Sequence, residues 1–205
     1  MDVDGEEKIE YNDEDSDSSE ENDSEEVAEN SPAELGVQNP FLDSFYGLSS
    51  EDPRERVQAA QNILHCCLLG PNANSKDAAY AFRRLLNGLC SGRAAARQGN
   101  ASALANFLKV AFHLKKMEEI REEGSEAVDP TVSMLEFVRG RLLRATDPSQ
   151  TTGKKKGSEE RDYQFGRLFG ILGVVRSGVL LPTGTEEEEF SDCLSVSSNF
   201  VSDIA

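Results

Sequence analysis

The stretch SKDAAYAFRRLLNGL, residues 75–89, decides the fold. Ala78, Phe82, Leu85, Leu86 and Leu89 recur at intervals of three and four, the spacing that lines apolar side chains along one face of an α-helix. Ser75 is read as the cap of this helix, which is expected to end near Gly92. A further helix follows at once, with Ala101, Leu104, Leu108 and Phe112 as its stripe, and so short a connection favours antiparallel neighbours.

Working upstream, Asp52-Pro53-Arg54-Glu55 has an N-cap residue, a proline at the first helical position and Glu at the third, the pattern of a capping box. Val57, Ala60, Leu64 and Cys67 form the expected apolar stripe, and Gly70-Pro71 stops the helix. Downstream, Leu114 to Glu123 reads as a short charged helix ending at Gly124, and Asp129-Pro130 repeats the cap-plus-proline opening. Leu135, Val138 and Leu142 are the stripe of the helix behind it, which is expected to end around Ala145. Residues 146–158 read as a loop. Ser158 is read as the cap of a last clear helix, in which Phe165, Leu168, Phe169, Leu172, Val175 and Val179 give a broad buried face up to Ser177-Gly178.

No alternation of period two appears in the body, so the fold class is all-α. Each helical pair has an apolar face that one hairpin cannot bury, which fits an α-solenoid of stacked hairpins better than a closed four-helix bundle. No repeat of fixed period is visible, and periodicity alone leaves both architectures open.

Charge divides the 205-residue chain, whose net charge is −17, into three parts. Residues 1–34 hold 16 acidic groups and only Lys8; residues 35–182 hold 16 acidic and 20 basic groups; residues 183–205 hold six acids and no base. The tail 1–40 is too acidic and too poor in apolar residues to offset chain entropy, and is expected to be disordered; the same is expected of the acidic stub 183–205. Ser16, Ser18, Ser19 and Ser24 stand among the tail's acids and suit acid-directed kinases. The body is large enough to bury a core without a disulfide or metal. Cys66, Cys67, Cys90 and Cys193 have no C-x-x-C spacing and read as buried thiols of a reducing compartment. The N-terminus lacks a secretory pattern, and the most apolar run, Phe165 to Leu181, is interrupted by Arg167 and Arg176, which argues against secretion and membrane spanning.

Two segments are more particular than generic helix. One is Tyr80-Ala81-Phe82-Arg83-Arg84-Leu85-Leu86-Asn87-Gly88-Leu89 with Ser91-Gly92-Arg93-Ala94-Ala95-Ala96-Arg97; the other is Glu160-Arg161-Asp162-Tyr163-Gln164-Phe165-Gly166-Arg167-Leu168-Phe169-Gly170. With Phe45-Tyr46-Gly47-Leu48, they resemble the N-terminal region of the Myb-binding protein 1A/DNA polymerase V (DNA polymerase phi) family of nucleolar proteins, over roughly residues 41–182. The resemblance implies an armadillo/HEAT-like helical-repeat domain over 41–182, in the nucleus and nucleolus. It implies work in ribosomal RNA transcription, ribosome biogenesis and transcriptional regulation through transcription or ribosome-assembly proteins and through DNA or RNA. Gly88, Gly92, Gly166, Arg167, Phe169 and Gly170 belong to the packing motif that it carries. Family members are several-fold longer, so the chain is expected to be an N-terminal fragment or truncated product whose last helix exposes a face meant for the next repeat.

The family's name invites an alternative reading as a polymerase-type enzyme. Two-metal chemistry needs paired carboxylates on separate strand-borne motifs, and none is visible; nor is a Gly-rich phosphate loop. Asp162, beside Arg161, reads as part of a salt-bridged helix N-terminus. The chain is therefore read as non-enzymatic, with no cofactor, no small-molecule substrate and no membrane partner. His65 and His113, even with Cys66 and Cys67 beside the first, lack metal-ligand spacing. Arg83, Arg84, Arg93 and Arg97 cluster at a helix turn, where they would either bind phosphate or brace helix ends. Lys154, Lys155 and Lys156 form a short basic loop that could act as an import signal or remain simply solvated.

Overall fold

Four of the helices begin at a residue whose side chain takes up a free backbone N–H, and these caps set where the chain turns. Asn39 accepts from Phe41 N at 3.1 Å and opens α1, Pro40–Gly47. Asp52 accepts from Arg54 N at 2.8 Å and opens α2, Pro53–Leu64, whose last turn widens into a π-helical turn at His65–Leu69. Asn74 accepts from Asp77 N at 2.9 Å and opens α3, Ser75–Gly88; Ser133 accepts from Glu136 N at 3.2 Å and opens α6, Met134–Ala145. Between them lie α4, Ala94–His113, and α5, Met117–Glu123; after α6 come a 3₁₀ turn at Pro148–Gln150, α7, Gly157–Ser177, and α8, Glu187–Ser202. This computed structural model describes residues 39–124, 131–150, 157–182 and 187–203, and among them every regular element is helical.

Several boundaries differ from the sequence reading for local reasons. Asn74, not Ser75, caps α3, because the Asn74 amide reaches Asp77 N while Ser75 turns its hydroxyl to Glu123 at 3.1 Å. Asp129 and Pro130 lie outside the described residues, and the cap of α6 is Ser133. The helix expected from Leu114 begins at Met117, since Lys115 takes φ +56° and ends α4 in a turn. The box at α2 closes through a relay: Asp52 N–H donates to Ser50 Oγ at 3.1 Å, and the Ser50 hydroxyl donates to Glu55 at 2.5 Å. Ser158 falls inside α7, and its side chain lies outside the described set. The stretch 183–205, expected to be disordered, contains α8; Glu187, Glu188 and Glu189 fall in its first turn, where the helix dipole favours acids, and Cys193, Val196 and Phe200 are buried at helical spacing.

At the centre lies α4, which packs against α2, α3 and α7. Its composition explains that position: it is apolar on most sides, with alanines that let neighbours close in, and Leu104, Phe107, Leu108 and Ala111 are fully buried. Where α4 passes the end of α1, a Cβ on Gly99 would collide with the Leu48 carbonyl, so glycine permits the approach. Phe82 of α3 stacks on Phe107 at 5.9 Å and meets Phe137 of α6 at 6.1 Å, joining three helices through their rings. α8 is fastened to α6 by Arg139, whose Nε and Nη2 both donate to the Asp203 carboxylate at 2.8 Å; that pairing raises the pKa of the guanidinium above its ordinary value.

The stripes expected on α3 and α6 are buried as read: Ala78, Phe82, Leu85, Leu86 and Leu89 on the first, Leu135, Val138 and Leu142 on the second. On α2 the expected stripe holds in part: Ala60 and Cys67 are buried and Leu64 is half-buried, but Val57 is exposed, and Ala59 and Ile63 are buried beside them. The largest departure is α7. Phe165, Leu168, Leu172 and Val175 face outward, and the side turned to α4 and α6 carries Gly166, Gly170, Ile171, Gly173, Val174 and Ser177. Phe169 and Val179 are half-buried. The thiols also divide: Cys67 and Cys193 are buried, Cys66 and Cys90 half-buried, and burial pushes the Cys67 thiol up to about 12.

Candidate partner-binding surface at the α3–α4 turn

Tyr80, Arg83 and Arg84 share a face of α3 because residues three and four apart on a helix are neighbours. That face meets the end of α1. The Arg84 guanidinium lies 5.2 Å from the Phe45 ring centre and 6.0 Å from that of Tyr46, and Arg83 lies 6.0 Å from that of Tyr80. Phe41, Phe45 and Tyr80 pack as a cluster beneath, with centroids 5.4 to 6.0 Å apart. A cleft of about 390 Å³ opens between α1, α3 and the start of α4, with Ser49, Asn87 and Ser91 adding polar groups to the arginines and rings. Tyr46 is 73% exposed at its edge, and no carboxylate among the described residues pairs with Arg83 or Arg84. Two cations are thus held over aromatic rings, with their remaining N–H donors free for an anionic ligand.

The other two arginines of the expected cluster are engaged in bracing. Arg93 donates to the Ser49 carbonyl just after α1 at 3.0 Å and lies 3.6 Å from Glu51. Arg97 donates to the Ser91 carbonyl at 2.6 Å and to Asp162 of α7 at 3.3 Å, with its guanidinium 5.0 Å from the Phe165 ring. It ties the turn after α3 to α7. Asp162 therefore pairs with Arg97 rather than with its neighbour Arg161, and an acid already held by a half-buried guanidinium is poorly placed to bind metal.

The glycines of the two quoted segments sit where backbones approach. A Cβ on Gly88 would overlap the buried Asn100 amide, and one on Gly92 would stand 3.4 Å from Asp162. On Gly166 it would lie 2.6 Å from the Cys90 sulfur, and on Gly170 it would enter Leu142. Arg167, half-buried on α7, has its Nε enclosed without an acceptor. Among the described residues no group of three or more His, Cys, Asp and Glu side chains comes together as a metal site, and no helix is long and apolar enough to cross a membrane. Ser16, Ser18, Ser19, Ser24, Lys154, Lys155 and Lys156 lie outside the described residues.

The sequence reading found the arginines and missed the rings beneath them. Tyr80 could have been found from its spacing to Arg83 and Arg84; Phe45 and Tyr46 come from another helix, and no local pattern announces that contact.

The family model described as DNA polymerase phi matches residues 80–197, which include both quoted segments. The rDNA transcriptional regulator pol5 of Schizosaccharomyces pombe is 30% identical over 149 residues, 73% of this chain and 13% of that protein. The rDNA transcriptional regulator POL5 of Saccharomyces cerevisiae is 28% identical over 65% of this chain and 12% of its own length, and Myb-binding protein 1A of Mus musculus is 28% identical over 69% and 9%. The chain thus spans about an eighth or less of the curated relatives it matches. No solved structure matches it. The family match, which takes in both quoted segments and more than half the residues, places the chain in the DNA polymerase phi family.

Proposed function

We propose that this chain is a non-enzymatic helical-repeat segment, armadillo- or HEAT-like over residues 41–182, of a nucleolar protein that acts in ribosomal RNA transcription and ribosome biogenesis. It works as a scaffold for transcription or assembly proteins, and Arg83 and Arg84 contact the phosphates of ribosomal DNA or RNA. The observation that carries this reading is the similarity, over 73% and 65% of the chain, to two yeast proteins named as regulators of rDNA transcription. The repeat architecture is supported by the packing of successive helices on one another, α1 on α2, α3 on α4 and α5 on α6. The phosphate assignment is supported by the two unpaired guanidiniums over Phe45, Tyr46 and Tyr80.

Affinity capture of the tagged chain from nucleolar extract, with and without nuclease, tests the reading. Recovery of rRNA-transcription or pre-ribosome factors after nuclease treatment is the expected result; absence of any such factor in either arm overturns the scaffold. Binding to an rDNA duplex and to single-stranded RNA, followed by anisotropy, tests the arginines. Arg83→Glu with Arg84→Glu should weaken binding and lower its salt dependence by about two phosphate contacts; unchanged binding rejects the assignment. Magnesium-dependent nucleotide incorporation by the purified chain would replace the whole reading with an enzymatic one.

A further inference from the structure

The turn that joins α1 to α2 reads Leu48-Ser49-Ser50-Glu51-Asp52, so Ser49 stands two residues before one acid and three before another. Among the described serines and threonines only Ser49 and Ser133 have an acid at the third following position, the placement that acid-directed protein kinases read. Their hydroxyls differ. Ser133 Oγ is held as the cap of α6 by Glu136 N at 3.2 Å. Ser50, beside Ser49, has Pro53 at that position and gives its hydroxyl to Glu55. Ser49 is half-buried, its carbonyl is the group that Arg93 holds, and its hydroxyl makes no hydrogen bond among the described residues.

The surroundings of Ser49 suit a phosphate. Ser49 lines the cleft of about 390 Å³ together with Tyr46, Arg83, Arg84 and Asn87, and none of the lining residues is acidic. Arg93 already reaches Ser49, donating to its carbonyl at 3.0 Å while lying 3.6 Å from Glu51, an exposed pair that contributes little by itself. Arg56 closes the other side of the turn, donating to the carbonyls of Ser50 and Glu51 at 2.7 and 3.0 Å. Two nearby acids are engaged: Asp52 accepts from Arg54 N, and Glu55 accepts from the Ser50 hydroxyl. A phosphate on Ser49 would add a charge of about −1.5 to −2 and three strong acceptor oxygens. It would do so beside Arg84, which pairs with no carboxylate among the described residues, and Arg93, whose present pair is weak.

We propose that Ser49 is a phosphorylation site and that its phosphate pairs with Arg84 and Arg93, closing the cleft to the phosphates of nucleic acid. An acid-directed protein kinase transfers the γ-phosphoryl group of ATP to Ser49 Oγ. The new O–P bond forms as the bond to the departing ADP breaks, and the hydroxyl proton passes to the base of the kinase. The unmodified chain then binds nucleic acid and the phosphorylated chain does not. This regulatory half rests on the phosphate reading of Arg83 and Arg84, whereas the modification and the pairing stand without it.

The full chain made with phosphoserine at position 49 is titrated by phosphorus NMR beside the phosphopeptide of residues 44–54, which holds the same acids but neither Arg84 nor Arg93. Cations beside a phosphate favour its dianion and lower its second pKa, so the chain should titrate about half a pH unit or more below the roughly 6 of the peptide. Arg84→Gln should remove part of that difference, and Arg84→Gln with Arg93→Gln all of it, with circular dichroism checking that both variants stay helical. Equal titration of chain and peptide overturns the pairing. Anisotropy with a labelled rDNA duplex reads the consequence, and phosphoserine at position 49 should weaken binding about ten-fold or more. Undiminished binding by the phosphorylated chain overturns the regulation alone. Failure of the unmodified chain to bind overturns the regulation together with the phosphate reading of the cleft, while the titration still decides the pairing. Incubation of the unmodified chain with ATP and an acid-directed kinase, followed by mass mapping of its peptides, tests access. Label is expected on Ser49, and label confined to Ser16, Ser18, Ser19 and Ser24 overturns the assignment of the site.

Discussion

Helices α4 and α7 are the two longest of the described elements, at 20 and 21 residues. α4 keeps one exposed polar stripe, Gln98, Ser102, Asn106, Lys109 and His113, whereas α7 has none between Phe165 and Val175. α4 packs against α2, α3 and α7 and buries its apolar residues on the remaining sides; α7 meets α4 and α6 through glycines and leaves its largest side chains in solvent. Low amphipathicity therefore says that a helix needs partners on more than one side and says nothing about which partners the chain itself supplies. In α4 the requirement is met within the fold. In α7 half of it is unmet among the described residues.

The contrast predicts a large asymmetry in truncation. Phe107→Ala, at a fully buried ring stacked on Phe82, should cost about 3–5 kcal/mol. Leu172→Ala on the outer face of α7 should change stability by no more than about 0.5 kcal/mol. Urea unfolding followed by circular dichroism measures both. Comparable losses at the two sites would mean that the α7 stripe is covered within the isolated chain.

A smaller effect probes the inner face of α7. Gly170→Ala puts a methyl group into Leu142 and within 3.0 Å of Leu89, two fully buried side chains. Overpacking of this kind costs about 1–3 kcal/mol and outweighs the roughly 1 kcal/mol that alanine gains in helix propensity. A net loss of about 1 kcal/mol is expected in the same urea titration. A net gain would show that α7 does not sit as close to α6 as its glycine requires.

How far the sequence could be read follows from the same physics. α3 and α6 were legible because each has one wide apolar stripe and a polar remainder, so spacing alone identified the buried residues. α7 was legible only in part: Gly166 and Gly170 were read as packing residues and do sit at close approaches, but Phe165, Leu168 and Leu172 were taken as buried for their size, and Gly173, three residues on, completes the packed face instead. α8 was hidden by its charge; the glutamates that suggested an unstructured stub are favourable at a helix start, and the spacing of Cys193, Val196 and Phe200 was there to be seen. At the candidate site Arg83 and Arg84 were visible, while the rings of Phe45 and Tyr46 reach them only through the packing of α1 on α3.

The smallest prediction separates close packing from glycine content as such. Gly140 lies in α6 on the solvent side, with no atom within 4 Å of where its Cβ would stand. Nothing there needs glycine, so Gly140→Ala should stabilise the protein by about 1 kcal/mol, the full difference in helix propensity. Set beside Gly170→Ala, the same chemical change is then expected to have opposite signs in two helices that pack on each other. The difference of about 2 kcal/mol between the variants measures the contact between α7 and Leu142 directly, because the propensity gain is common to both. If both variants gained equally, that contact would contribute nothing, and the outward display of Phe165, Leu168, Leu172 and Val175 would no longer follow from the inner face of α7.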